Sequence, residues 1–202
     1  MNQPKVDDEA YINFLMATPK VCSATEAARV QSEAVDPPAH DAFTRLLHRQ
    51  EPDTATLWRK AAPQVERQRG VLVVDDSTLD KPYTKKIELV QRHWSGKHHA
   101  VVEGINLVTL LWSDGDRHVP VDYRIDDKAG DTLTKNDHFR AMLEAAHRRG
   151  FIPESVVFDS WYRGLDNLKQ VRDFGWMWLT RLKANRLVNQ SRPDGITPGG
   201  LR

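Results

Sequence analysis

The spacing of apolar residues changes at Gly70. Before it, apolar positions recur every three or four residues, as on a helix face; after it, they alternate or run together, as in strands. Ala10, Phe14 and Ala17 share one helical face, and Ile12, Leu15 and Met16 another, until Pro19 stops the segment. Ser23-Ala24-Thr25-Glu26 has the form of a capping box, in which the serine caps and the glutamate reaches back. It predicts a short helix over 24–33, closed by Pro37-Pro38. Ala42, Phe43, Leu46 and Leu47 give a third stripe. Asp53 starts a fourth through Leu57, Trp58, Ala61 and Val65, kinked at Pro63. Residues 1–68 are therefore expected to be a helical region, either a small bundle or a helix-turn-helix type DNA reader.

Beyond Gly70 the run Val71-Leu72-Val73-Val74 leads straight into Asp75-Asp76-Ser77-Thr78, the pattern of a buried strand ending in acids. Lys81 to Lys86 is polar and reads as a loop. Residues 100–112 form a long strand with a possible bend or bulge at Gly104, and Ser113-Asp114-Gly115-Asp116 is a turn. Residues 118–124 return as a strand, with Pro120 favouring a sheet edge. Thr134-Lys135-Asn136-Asp137 starts a helix that buries Phe139, Met142, Leu143 and Ala146 and ends at Gly150. Ser155-Val156-Val157-Phe158-Asp159-Ser160 repeats the strand-Asp-Ser pattern. A helix over 165–174 and a last strand over 176–183 follow. Three antiparallel strands, then helix, strand, helix, strand imply a mixed α/β sheet with parallel crossovers.

Composition narrows the classes. Lysine and arginine (29) nearly balance aspartate and glutamate (28), for a formal charge of +1, so global charge selects no partner. Cys22 stands alone, which excludes an intrachain disulfide and a multi-cysteine zinc site. No apolar signal core or membrane-length run is present, and a cytoplasmic protein is expected. His93, His98 and His99 are grouped, but in a polar loop context they read as solvated or packing side chains rather than a metal site.

Two strands that each deliver an Asp to one sheet edge can form a site for a hard divalent cation, although an Asp there also caps the element that follows. The strand-Asp-Asp motif lacks the Gly-x-x-x-x-Gly-Lys-Ser/Thr loop of P-loop nucleotidases. Lys81-Pro82-Tyr83 interrupts where a receiver domain would start a helix, and a phosphatase-type Asp-x-Asp is absent. Metal-assisted phosphoryl transfer remains.

The stretch Val73 to Pro82, Val119 to Ile125, Thr134 to Phe139, Phe158-Asp159-Ser160-Trp161-Tyr162, Asn167-Leu168-Lys169 and Thr180 to Arg186 together resemble DDE-type transposases of bacterial insertion sequences. The resemblance covers about residues 70–186 in unbroken order. It implies a ribonuclease H-like core over 69–186, whereas residues 187–202, polar and Gly/Pro-rich, resemble nothing in the family and are expected to be a tail, the start of an insertion or an out-of-family end. It implies two-metal phosphoryl transfer with Mg²⁺ (or Mn²⁺), end nicking and strand transfer, double-stranded DNA as partner, a homodimer, and a bacterial nucleoid-associated setting. In the family the first catalytic Asp stands directly before Ser or Thr, which selects Asp76 over Asp75; the second is Asp159. Trp161, Tyr162, Arg163, Lys183 and Arg186 are candidate DNA contacts. The family also needs a third carboxylate, a later glutamate, and no glutamate follows Glu154. A truncated or partial enzyme is expected, with apolar surface left bare near Trp176, Met177 and Trp178. The alternatives are a catalytically inactive DNA-binding relic and a standalone nuclease in which Glu103 completes the site.

Overall fold

The computed structural model describes residues 4–50, 53–84, 86–96, 98–127 and 130–182, and the chain divides into two compact units, Met1–Asp53 and Thr54–Arg202. The sequence places this division after residue 68. The structure moves it because Trp58, Ala61 and Val65 belong to the core of the second unit, Trp58 lying 5.5 Å from Phe151, ring to ring.

The first unit contains α1 (Asp8–Ala17), α2 (Ala24–Val30) and α3 (His40–Arg49). Asp7 caps α1 by accepting from the Ala10 N–H, and Ser23 caps α2 by accepting from the Glu26 N–H. The Glu26 carboxylate is engaged by Arg29, so of the expected capping box only the serine half forms. Val6, Phe14, Ala27, Ala42, Phe43 and Leu46 make the core, with Tyr11 beside Phe14 and Phe43.

The second unit opens with α4 (Thr54–Ala61), which tightens into a 3-10 turn at Pro63 instead of kinking and continuing. The mixed sheet follows: β1 (Val71–Asp80), β2 (Gln91–Ser95), β3 (Ala100–Ser113), β4 (His118–Ile125), β5 (Ser155–Phe158) and β6 (Trp178–Thr180). Helix α5 (Lys135–Arg148) precedes β5, and α6 (Leu165–Asp173) joins β5 to β6. The strand order is β2-β3-β1-β5-β6, with β4 also on β3; β1, β2 and β4 run antiparallel to β3, while β5 and β6 are parallel to β1. The expected order of antiparallel strands, helix, strand, helix and strand is present, with one further strand, β2, between the first two. No helix among the described residues is long and apolar enough to cross a membrane.

Four local expectations are corrected. Strand β1 continues past Asp76 to Asp80 because β3 pairs with it all the way to Gly104. Strand β2 is absent from the sequence reading: its inward residues are His93 and Ser95, so it carries no apolar alternation. Gly104 bends nothing; a Cβ there would stand 2.6 Å from the Leu79 carbonyl oxygen, so glycine permits the close approach of β1. The bulge lies instead at Leu110/Leu111, opposite the Pro120 region of β4. Finally, Trp176 is buried against Phe174 and His147, and only Met177, Trp178 and Leu179 reach the surface.

Alternation along the sheet sorts its two faces. Leu72, Val74, Val108, Leu110, Trp112, Val156 and Phe158 are buried on one face, where Phe139 of α5 packs edge-on to Phe158 at 5.0 Å. Both halves of the α5 capping box form, Thr134 accepting from the Asp137 N–H and Asp137 from the Thr134 N–H. This fixes where Lys135, the first residue of α5, meets the sheet.

Candidate active site

Strands β1 and β5 are paired in register from Val71/Ser155 to Val74/Phe158. The next residues on each are Asp75 and Asp159. Phe158 faces the helical side and is buried, Asp159 follows in extended conformation (φ −72°, ψ 173°) and is exposed, and Asp75 is likewise exposed. The alternation thus puts Asp75 and Asp159 side by side on the sheet face away from α5. Strand β5 stops there because Asp159 caps a 3-10 turn, Ser160–Tyr162, its Oδ1 accepting from the Trp161 N–H at 2.7 Å. Thr180 of β6 donates its hydroxyl to the Asp159 carbonyl oxygen.

Asp76 lies on the opposite, helical face. Its Oδ2 accepts from Lys135 Nζ at 2.7 Å and Asn106 Nδ2 at 3.1 Å, and its Oδ1 from the Tyr162 hydroxyl at 3.3 Å. The sequence motif pairs Asp76 with Asp159; the ladder, followed one residue beyond Val74/Phe158, leads to Asp75 and Asp159, whose charges interact. The reason is geometric, since neighbouring residues of a strand point to opposite faces, a distinction that a run of two aspartates conceals.

The electrostatics separate the two acids. Burial pushes the Asp75 carboxyl above its ordinary range; the Asp76 N–H bond opposes this, while the charges of Asp76 and Asp159 reinforce it. Burial also pushes Asp76 upward, but the hydrogen bonds from Lys135 and Asn106, the Lys135 charge and the Tyr162 bond more than offset it, and Asp76 sits below its ordinary range. Burial, followed by the charge and hydrogen bond of Asp76, pushes the Tyr162 hydroxyl well up, so it remains a donor. Asp75 is therefore a carboxylate crowded by like charge, whereas Asp76 is one already neutralised by protein.

The chain matches the family model described as DDE superfamily endonuclease over residues 15–199. It belongs to the DDE superfamily endonucleases. No curated protein matches this DDE endonuclease chain. Among solved structures it is similar to the Drosophila P element transposase strand transfer complex, at 14% identity and TM-score 0.43, over 87% of this chain and 37% of that one. It is also similar to a piggyBac transposase synaptic complex with hairpin DNA (11%, TM-score 0.47, 96% and 42%) and a pre-cleavage Mos1 transpososome (11%, TM-score 0.30, 89% and 60%). The chain thus spans less than two thirds of the length of each of these solved chains.

The remaining candidates fall in three groups. Trp161 is exposed beside Asp159, with Lys135 Nζ 5.5 Å from its ring, and Arg163 donates to the Ser160 carbonyl oxygen. Tyr162, expected as a DNA contact, is fully buried and stacked on Phe139 at 5.2 Å; its ring has no open face for a base. Lys183 and Arg186 lie outside the described residues. Glu103, expected to complete a nuclease site, is ruled out by distance: on β3 it is six residues from Thr109, the partner of Asp75, or about 20 Å along the strand. The histidines are dispersed, His93 buried 3.8 Å from Asp126 and His98 2.8 Å from Asp80. The residues that sequence reasoning missed are Asn106, Lys135 and Tyr162 as partners of Asp76. Only the Thr-Lys-Asn-Asp helix start hinted that Lys135 held a fixed place.

Proposed function

We propose that this chain carries two of the carboxylates of a DNA-cleaving and DNA-joining centre, Asp75 and Asp159, and that it acts in transposition at insertion-sequence ends. The β1–β5 ladder, in register up to Val74/Phe158, one residue before each acid, supports the reading. They fit Mg²⁺ (or Mn²⁺): both offer hard oxygen donors on an exposed face, and the negative charge of Asp76 and Asp159 that adds to burial in raising Asp75 is what a divalent cation relieves. When bound, such an ion supplies Lewis-acid activation of a water or 3′-hydroxyl and stabilises charge on the transferring phosphate. The chain's own residues do the rest. The Trp161 N–H holds one oxygen of Asp159, leaving the second for the ion. The exposed Trp161 ring gives a flat face on which a flanking base can stack, and Arg163, Lys183 and Arg186 supply charge for phosphates.

No third acidic or histidine side chain joins the pair among the described residues. A third carboxylate from a second copy in a dimer would complete the pair, and a DNA-binding relic is the second reading. The 202-residue protein is therefore expected to nick a supercoiled plasmid carrying candidate transposon ends only weakly, with Mg²⁺ or Mn²⁺ required. Residual nicking should vanish in Asp75→Asn and in Asp159→Asn. Nicking that survives both substitutions removes the assignment.

DNA binding by the helical units is a separate expectation. Several of their basic side chains are already paired, Arg29 with Glu26, Arg45 with Asp41 and Arg69 with Glu66. Such exposed pairs are worth little and exchange readily for phosphate contacts. If about six phosphates are engaged, affinity should fall about 1,000-fold between ~50 and ~200 mM salt. A gel-shift titration of the protein against transposon-end and random duplexes checks this, and no shift at the lowest salt would rule it out.

A further inference from the structure

The β1–β5 ladder ends one residue before the two acids, at Val74/Phe158. Beyond it β5 turns away into the Ser160–Tyr162 turn, so no ladder hydrogen bond holds Asp159 against Asp75. What spans the gap is on the other side of the sheet. Tyr162 reaches from that turn to Asp76 Oδ1, and the same residue's N–H donates to the Asp159 carbonyl oxygen at 3.3 Å. Lys135 reaches from α5 to Asp76 Oδ2 and lies over the Trp161 ring, so it too bridges β1 and the turn. The turn is clamped from the helices: Tyr162 stacks on Phe139, and Asn167 Nδ2 donates to the Tyr162 carbonyl oxygen at 2.9 Å.

We propose that Asp76, Lys135 and Tyr162 form a tie across the sheet that sets the spacing of Asp75 and Asp159, making Lys135 and Tyr162 positioning residues that touch neither metal nor DNA. The proposal rests on the reading of Asp75 and Asp159 as the metal-binding pair. Asp76 is adjacent to Asp75 on β1, and Tyr162 is three residues from Asp159, so holding Asp76 to Tyr162 holds the two flanking carboxylates. It also explains why two consecutive aspartates occupy β1: one serves the open face and the other anchors it from behind. Groups that orient metal-binding side chains typically contribute ~10–100-fold in metal affinity, although they make no bond to the ion.

Two readouts separate this tie from plain stability and from the metal assignment. The first is Mn²⁺ affinity by titration calorimetry, with melting temperature measured without metal. Tyr162→Phe keeps the stacked ring and removes only the hydroxyl; Lys135→Met keeps the length of the side chain and removes its charge. Both are expected to bind Mn²⁺ ~10-fold or more weakly than the parent protein, and Lys135→Arg to recover part of the loss. The second readout needs no metal. In a Cys22→Ser background, Asp75→Cys and Asp159→Cys together are expected to close a disulfide in glutathione buffer, as register neighbours can. Adding Tyr162→Phe or Lys135→Met should slow that closure about tenfold. Unchanged closure rates would overturn the tie, whatever the metal data show. Slowed closure in the cysteine variants, together with no Mn²⁺ binding by the parent protein, would keep the tie and discard the metal-binding pair instead.

Discussion

Asp75→Asn should remove Mn²⁺ binding and leave the fold intact, whereas Asp76→Asn should weaken the fold. The two residues are neighbours of identical chemistry, and only their faces differ. Asp75 stands on the open face near Asp159, and its carboxyl is raised by partial burial and by two negative neighbours. Raised acids contribute stability that is present below the unfolded pKa and lost as pH rises through the folded one, so at neutral pH an ionised Asp75 opposes folding. A neutral amide removes that opposition, and the melting temperature at pH 7.5 should hold or rise slightly. Metal affinity should fall by about 100-fold or more, since one of the two proposed ligands is gone. Asp76→Asn leaves Lys135, only 13% exposed, without its carboxylate. Breaking a part-buried pair from one side costs about 1–3 kcal/mol, less than for a fully buried one. The linkage runs the other way too: Asp76 is lowered in the fold, so its contribution is present above the unfolded pKa and lost as pH falls through the folded one. The stability gap between the parent protein and Asp76→Asn should accordingly narrow below pH ~4. Calorimetric melts at pH 3.5 and 7.5 with a Mn²⁺ titration of each variant decide it. Loss of Mn²⁺ binding in Asp76→Asn alone, at unchanged stability, would return the assignment to Asp76.

Arg149→Met is expected to cost about 1–3 kcal/mol at neutral pH, since the pair is part-buried and Arg124 still faces Asp122. Asp122 is fully buried on β4, with Arg149 Nη1 at 3.6 Å and Arg124 Nη2 at 3.4 Å from its Oδ2. Arg149 also donates to the Val121 carbonyl oxygen at 2.8 Å and lies over the Trp58 ring, so it joins the end of α5 to β4 and α4. Burial pushes Asp122 above its ordinary range even with both arginines opposing. Removing Arg149 raises it further. The stability lost through a raised carboxyl is regained as pH falls below the folded value, so the deficit of Arg149→Met should be largest near pH 7.5 and shrink toward pH 4. Urea melts across that range measure it. A pH-independent deficit would show that the packing of the Arg149 side chain on Trp58, rather than its charge, was lost.

Much of this was legible before any fold was known, and the reason differs by element. Helices α1 to α6 are written in local terms, by caps such as Ser23 and Thr134 and by apolar spacing, because each helix satisfies its own backbone within a few residues. The cores of β1, β3 and β5 are equally plain, since buried strands need unbroken apolar runs. The six ordered motifs named the family, and the match over residues 15–199 established it. Three things were decided only by tertiary contacts. Strand β2 exists because β3 offers it an edge at Ala100–Gly104, not because of its own pattern. Helix α4 belongs with the sheet because Phe151 and Arg149, some 90 residues later, pack on Trp58. And the two acids of β1 are told apart by pairing with a strand more than 80 residues away: the sequence by itself delivered two acids in a row, but which of them shares a face with Asp159 is a matter of register, and register is fixed by the buried face of Val74 and Phe158, with Lys135 bonded to Asp76 on that same face.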